Sequence, residues 1–519
     1  MTLWRFSAIL QHHDGGKTTP IQPLHMRFLF FTIALFLSLQ IQSEAKSPTL
    51  IPNQTWRHTL VDGSAFVNDC EICERPTFLL PMRGTFDLTF TGSANRYDFY
   101  SFTNIDFVFT DQNGLTNHVT GGGSAKIGGD FAFQEIIQIQ ITISNNATNE
   151  VVSMTNSSKG VFSAWPSVRF DLREETKSFV RVYKIDLRAA PFRELWYSSG
   201  INFTSARAVS DSKAISSGDL LSYSGRVIKR DADIVGRMGI QPSIGTSTPI
   251  DAINVLSGGE IAFSLSRDIF SETLGPLHHG DLLGSTGRII RRNQDLMQQF
   301  GVDTNIDYGL DAVQMMENGE TLFSITTNTI SSNLNLTLSR GDILSDQGTI
   351  KKTLRELLAP FAPATNSEDA IDVGLDAIYV WPGGEVWFST EDGFDSALGP
   401  ISAGDLLSDR GYVVYRNLEI VEKFNPVEDV NNFGLDSIVL ISDTTAASTP
   451  GRFSSFTYHK NSSQFDLGWV SAGHTFQVEK SSQVDGPYVP ASEILLDLFW
   501  TDAAAGAPNT KNFYRLLQW

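Results

Sequence analysis

Ile250–Leu265 reads IDAINVLSGGEIAFSL, and this stretch decides the fold because it returns. It reappears as LDAVQMMENGETLFSI from Leu310, LDAIYVWPGGEVWFST from Leu375 and, degenerate, IDLRAAPFRELWYSS from Ile185. Each copy is followed by a second block: GDLLSYSGRVIKR from Gly218, GDLLGSTGRIIRR from Gly280, GDILSDQGTIKK from Gly341 and GDLLSDRGYVVYR from Gly404. Asp219, Asp281, Asp342 and Asp405 therefore recur with a period of about 62 residues, the mark of a repeat architecture. A fifth start, GLDSIVL from Gly434, lacks its second block.

Each repeat predicts four short strands and a helical turn. The first two strands flank Gly258-Gly259, Asn318-Gly319 or Gly383-Gly384. Such pairs accept positive φ at both turn positions and predict a tight type I′ hairpin. Ile261, Phe263 and Leu265 alternate along the second strand, which gives it a buried face. The third and fourth strands turn at Gly225, Gly287, Gly348 or Gly411. Asp231, Asn293, Thr353 and Asn417 then stand as expected N-caps. Ile234/Met238, Leu296/Phe300, Leu357/Phe361 and Ile420/Phe424 give each short helix an apolar stripe at i, i+4.

A four-stranded unit cannot bury both faces alone and must pack on its copies. Radial packing predicts a β-propeller of four or five blades, which also protects strand edges. A linear β stack or tandem sandwiches are the alternatives. The first half of each repeat resembles the blade start of hemopexin-like propellers, which carry a short helix per blade. The GDLLS block and the longer period depart from that pattern.

The flanks also read as strands. Phe86, Leu88 and Phe90 alternate with polar neighbours, as do Ile137, Ile139, Ile141 and Ile143. They predict an antiparallel sandwich or barrel without helices. The tail holds FDLGW from Phe465, TFQVEKS from Thr475 and a terminal NFYRLLQW. It resembles the small fibronectin-type-III-like domains that close many exported bacterial proteins. The expected fold is all-β: a leader over residues 1–45, an N-terminal β-sandwich-like domain over 46–184, a propeller-like repeat domain over 185–451 and a C-terminal fibronectin-like domain over 452–519. CEICERPTFLLPMRGTFDL from Cys70, the repeats and the FYRL tail together resemble a group of uncharacterised exported bacterial β-repeat proteins. That resemblance implies an extracytoplasmic place and no activity.

The leader expectation rests on FLFFTIALFLSL from Phe28 to Leu39, with Met26-Arg27 before it and Ser43-Glu44-Ala45 after. A basic start, a short apolar core and small residues before a cut are a secretory signal. Met26 is a candidate true start. The run is shorter than the roughly 20 residues that span a bilayer. No later segment is expected to cross as a helix. Secretion to the periplasm, cell surface or medium follows.

Of the 519 residues, 39 are Lys or Arg and 58 Asp or Glu, giving a net charge of −19. That sign argues against nucleic acid as a partner. Two cysteines cannot make a disulfide scaffold. Cys70 and Cys73 form a CxxC, expected to be a local disulfide in an oxidising compartment. A redox pair or half a zinc site are the sharper alternatives.

The recurrent acids are the leading candidates for chemistry. Asp251, Asp311, Asp376 and Asp436 open the first strand; Glu194, Glu260, Glu320 and Glu385 open the second. Further acids precede the first strand: Asp303, Asn305 and Asp307; Glu368, Asp369 and Asp372; Glu428 and Asp429. Oxygen ligands at alternate positions suit calcium. Asp303, Asn305 and Asp307 open like an EF-hand loop, but Gln314 stands where its twelfth-position Glu belongs. Turn capping is the plainer use of all these acids. His278-His279 is a candidate ligand pair, replaced elsewhere by Ser216-Ser217, Ser339-Arg340 and Ser402-Ala403. Ser264, Ser324 and Ser389 recur without a GxSxG elbow or a matching His, so structural hydroxyls are expected. Gly121–Gly123 lacks a following GK[ST] and is expected to be a hairpin turn. Sequons stand at Asn53, Asn146, Asn156, Asn202, Asn335 and Asn461.

With no catalytic set, the expected function is a non-enzymatic secreted or cell-surface protein that binds carbohydrate or a protein partner through loops. A polysaccharide hydrolase on a propeller scaffold is the alternative, since paired carboxylates can do acid–base work. Outer-membrane insertion, suggested by the terminal aromatic Trp519, is disfavoured by short Gly-punctuated strands.

Overall fold

The computed structural model describes residues 52–519 except 75, 130–133, 146–147, 157–166, 176–179, 208–211, 241–249, 364–371, 446–448 and 504–510. The leader, Asn146, Glu368 and Asp369 lie outside the described residues. What is described is all-β, with helices of five residues or fewer. No helix among the described residues is long and apolar enough to cross a membrane.

The N-terminal sheet holds β1 (Thr55–Leu60), β2 (Ala65–Asp69), β3 (Phe78–Ala94), β4 (Tyr97–Thr110), β5 (Thr116–Gly128), β6 (Gln134–Ser144), β7 (Asn149–Asn156), β8 (Val168–Glu174) and β9 (Val182–Ala190). β1 and β2 lie end to end along β3 and act as one interrupted strand. From β2 the pairing passes through β9, β8, β7, β6, β5 and β4, and β4 returns to β3. The sequence leaves a sandwich or a barrel open; the pairing runs through one nine-stranded antiparallel sheet and returns from β4 to β3. Ile137, Ile139, Ile141 and Ile143 are buried, while Gln138 and Gln140 are exposed. The period-2 pattern thus puts one face of each strand into a core with Phe66, Phe86, Phe107 and Phe170.

Two readings change in this sheet. Gly121–Gly123 is strand, in the middle of β5. A Cβ at Gly123 would lie 2.1 Å from the Gln138 carbonyl oxygen, so glycine here permits close strand approach and is not a turn. The stretch from Ile185, read as a degenerate repeat start, is β9 and pairs with β2 and β8.

Four four-stranded antiparallel sheets follow. In the second, Ile250–Val255, Ile261–Leu265, Leu282–Gly284 and Arg288–Arg291 lie in chain order. The third (first strand Val313–Met315) and fourth (first strand Ala377–Val380) repeat that order. In the first sheet the slot vacated by Ile185 is filled by Ser437–Ile441, the strand of the incomplete fifth start. It pairs antiparallel with Glu194–Ser198. The four first strands contact one another in a cycle: Ile250–Val255 touches Ser437–Ile441 and Val313–Met315, and Ala377–Val380 touches the same two.

The hairpins are not type I′. Leu256 N–H bonds the Glu260 carbonyl at 2.7 Å, and Trp381 and Met316 do the same with Glu385 and Glu320. Three residues therefore form each loop. Only Gly319 and Gly384 take positive φ in two of them, as a three-residue loop ending in a left-handed residue requires. The helices Asp231–Val235, Asn293–Met297, Leu354–Leu358 and Asn417–Val421 stand where expected. Thr353 is a true N-cap, accepting Glu356 N–H at 3.2 Å. Asp231, Asn293 and Asn417 are first helical residues instead. Their own N–H groups are capped from the third strand by Asp219, Asp281 and Asp405.

The tail forms two three-stranded sheets. Arg452–His459, Gln464–Val470 and Phe499–Asp502 make one; Val489–Pro490, Phe476–Ser481 and Phe513–Gln518 make the other. They share a core of Leu467, Trp469, Phe476 and Val478. Trp519 is buried, donates from Nε1 to Asp443 at 2.9 Å and lies beneath the Arg193 guanidinium.

Candidate functional site

The repeated acids divide into three sets with different uses. Asp219, Asp281, Asp342 and Asp405 are buried. Each accepts one backbone N–H from three residues earlier and one from the start of the short helix. For Asp281 these are His278 at 3.0 Å and Asn293 at 3.2 Å; for Asp405, Ser402 at 3.1 Å and Asn417 at 2.8 Å. Arg230, Arg292 and Arg416 pair with three of the four carboxylates. These acids are occupied in closing turns and capping helices.

Glu194, Glu260, Glu320 and Glu385 reach across to the outer strands. Arg226 pairs with Glu194 at 3.0 Å, Arg288 with Glu260 at 2.7 Å and Lys351 with Glu320 at 2.7 Å. Glu385 is buried and accepts from Ser408 at 2.6 Å, Tyr412 at 2.5 Å and Trp387 Nε1 at 2.9 Å. This set ties each sheet together from strand two outward.

The third set behaves otherwise. Asp251, Asp311, Asp376 and Asp436 come from four different sheets and sense one another's charge. Burial pushes the carboxyl of Asp251 well up, with Asp436 and Glu391 adding to it. Burial also raises Asp376, reinforced by Asp436, Asp251, Asp311 and Glu391. Asp311 rises by burial and then by the charges of Asp251 and Glu391. Burial takes Asp436 up to about 7. Asp311 is only 7% exposed, and its carboxyl lies within hydrogen-bond reach of the Glu391 carboxyl, a contact that holds only with a proton or a cation between them. Glu391 is an off-pattern acid, standing where the aligned repeats have Ser266 and Thr326. Arg340 pairs with Glu391 and, at 2.8 Å, with Asp372. Asp251, Asp311, Asp376 and Asp436, all raised and mutually repelling, need protons or a cation to offset one another.

The recurrent serines place these aspartates. Ser264 accepts Ala252 N–H at 3.0 Å and donates to the Leu310 carbonyl at 2.8 Å, one residue before Asp311. Ser324 donates to Leu375 at 3.2 Å and Ser389 to Leu435 at 2.7 Å, one residue before Asp376 and Asp436. Each hydroxyl joins one repeat to the next. The sequence flagged these serines and acids separately but not their coupling.

Asp303, Asn305 and Asp307 sit in a loop before the third sheet. Asp303 Oδ1 accepts Asn305 N–H at 3.0 Å and its Nδ2 at 2.9 Å; Asp307 Oδ1 accepts Gly309 N–H at 2.8 Å. Gln314 bonds the backbone of Val380 through both Oε1 and Nε2. Asp307 also faces the His278-His279 pair, with its Oδ1 3.5 Å from His279 Nε2. Among the described residues no three His, Cys, Asp or Glu side chains already surround one point closely enough to hold a metal ion. Cys70 and Cys73 are joined by a disulfide.

At the opposite ends of the four first strands lies a mostly apolar cavity of about 400 Å³. Val255, Met315, Val380 and Leu440 line it, with His474 and Trp519 of the tail. Burial lowers the His474 imidazole, keeping it neutral. No protein-family model matches the chain, and no curated protein matches it.

Proposed function

We propose that the chain is a secreted or cell-surface binding protein, without catalytic activity, built on a four-bladed β-propeller with a divalent cation at its axial acid ring. The cycle of first strands supports the propeller reading, together with the fifth start that completes the first sheet. The Phe28–Leu39 run and the Cys70–Cys73 disulfide support the extracytoplasmic place. The carbohydrate or protein ligand is assigned to loops on one face.

One observation carries the cation. Four equivalent aspartates and Glu391 lie together near the axis, and the buried Asp311 carboxyl meets the Glu391 carboxyl directly, which calls for positive charge between them. The carboxyls do not close on a bare ion, so calcium is held there with part of its water shell, as its six to eight oxygen ligands allow. The hydrolase alternative needs two carboxyls of opposed character across an accessible groove. Here the raised carboxyls are equivalent and lie together.

The experiment is a thermal melt of the mature chain at pH 8 in EDTA and in millimolar calcium. A higher melting temperature in calcium, absent in Asp311→Asn, is expected. No calcium shift in the wild-type protein overturns the cation assignment. Release of reducing sugar from a polysaccharide panel would overturn the non-enzymatic one.

A further inference from the structure

One repeat carries side chains that the other three lack, and they meet. His278 Nδ1 lies 3.0 Å from Asp268 Oδ2, and His279 Nδ1 lies 2.9 Å from Asp268 Oδ1. A single carboxylate thus anchors both imidazoles by the same ring atom. Asp268 also accepts the His279 backbone N–H at 2.9 Å. The equivalent residues Asn202 and Asn328 accept the equivalent N–H groups of Ser217 and Arg340 at 2.8 and 2.7 Å. An amide is therefore sufficient for the loop. The carboxylate appears only where the histidine pair appears.

Bonding at Nδ1 leaves Nε2 of each ring for a second partner. His279 Nε2 is 3.5 Å from Asp307 Oδ1. Two ligands of one tetrahedral ion, each bonded at about 2.0–2.1 Å, stand roughly 3.4 Å apart. His278 and Asp307 line one open cavity, and the charge of Asp307 also acts on His278. A carboxylate behind a ligating histidine is the usual outer support of such a site, fixing tautomer and ring orientation.

We propose that His278, His279 and Asp307 bind a borderline divalent transition-metal ion, zinc being the probe, with Asp268 as the positioning residue behind His279. The His279–Asp307 edge is in place. His278, whose side chain is 48% exposed, leaves Asp268 and completes the site by a change of rotamer. Water fills the fourth position. This site is separate from the axial acids and does not rest on their reading.

The test is calorimetric titration of zinc chloride into untagged, EDTA-stripped and desalted mature protein. One zinc per chain is expected, with affinity falling at least tenfold in His279→Ala, in His278→Ser and in Asp307→Asn. Serine and alanine are what the fourth repeat carries at these two positions, so the loop keeps a side chain it already tolerates. An unchanged melting temperature confirms that each variant folds. Asp268→Asn keeps the backbone bond and is expected to weaken zinc by 10- to 100-fold. Cobalt substitution is expected to give the intense visible bands of a tetrahedral centre, lost in His279→Ala. No zinc uptake, or uptake equal in wild type and His279→Ala, overturns the proposal. Asp311→Asn is expected to leave zinc affinity unchanged; a parallel loss there would place the zinc at the axial acids and also overturn it.

Discussion

Ser198 and Ser437, 239 residues apart in the chain, face each other across an antiparallel strand pair with their Oγ atoms 2.6 Å apart. That pair joins the second strand of the first repeat to the strand of the incomplete fifth start. Without it Trp196 and Tyr197, both fully buried, lose the strand that covers them. A chain ending at Asn432 is expected to expose this edge and aggregate. Ser437→Ala, which removes one hydroxyl and leaves the strand, is expected to cost about 1 kcal/mol. Size-exclusion chromatography and urea melts separate the two outcomes; a monomeric, cooperatively folding truncation would refute the closing role.

The axial acids predict a pH effect with a definite sign. Their folded pKa values are raised, so the stability they contribute is fully present below the unfolded carboxyl value of about 3.9 and is lost progressively as pH rises from there through the raised values. For Asp436 that value is about 7. In EDTA, Asp311→Asn is expected to be more stable than wild type at pH 8, by on the order of 1.4 kcal/mol for each pKa unit relieved. The difference should shrink as pH falls from 8 and vanish only near the unfolded carboxyl value of about 3.9. Equal stability of the two proteins at pH 8 would count against carboxyl repulsion at the axis.

His58 has the opposite sign. It is fully buried against Phe86, with ring centroids 5.0 Å apart, and burial lowers it to about 4. A histidine held neutral makes the fold lose stability as pH falls from about 6.5 towards 4. His58→Phe is expected to remove that loss, on the order of 3 kcal/mol. Denaturant midpoints at pH 7 and pH 4.5 measure it, and an unaltered difference between them would rule out His58 as the source.

Ser264→Ala leaves the Ala252 N–H and the Leu310 carbonyl to find new partners in a buried place. A cost of about 1–3 kcal/mol is expected. The lost bond also loosens the residue before Asp311, so the calcium-dependent rise in melting temperature should shrink. A full calcium response in this variant would separate the serine stitch from the acid ring.

Gly123→Ala puts a Cβ 2.1 Å from a backbone oxygen in the neighbouring strand. The N-terminal sheet has no room to yield there, so loss of soluble protein is expected. Gly258→Ala meets no atom within 4 Å and only strains a left-handed φ of 77°. It is expected to cost about 1 kcal/mol. Comparing soluble yields tests the contrast directly.

The two-stranded hairpin inside each repeat, such as Ile269–Ser271 with Gly275–Leu277, was not legible in the sequence, but the repeat, the four strands of its main sheet and its helical turn were, because apolar alternation and turn glycines are local devices. Each acts within a few residues of its own position. Asp281 and Ser264 reach further, to Asn293 and to Leu310 of the next repeat, so the fold sets their partners. Three features needed the folded chain. The Ile185 stretch and the Gly434 start compete for one slot in the first sheet, and only tertiary pairing decides that Ser437–Ile441 takes it. Gly121–Gly123 reads like a turn, yet the close approach of β6 makes it strand. The meeting of Asp251, Asp311, Asp376 and Asp436, and of Asp268 with His278 and His279, depends on how loops and sheets are brought together. Sequence period determined which side chains repeat; packing in three dimensions decided which of them share one field, because charges interact through space and not along the chain.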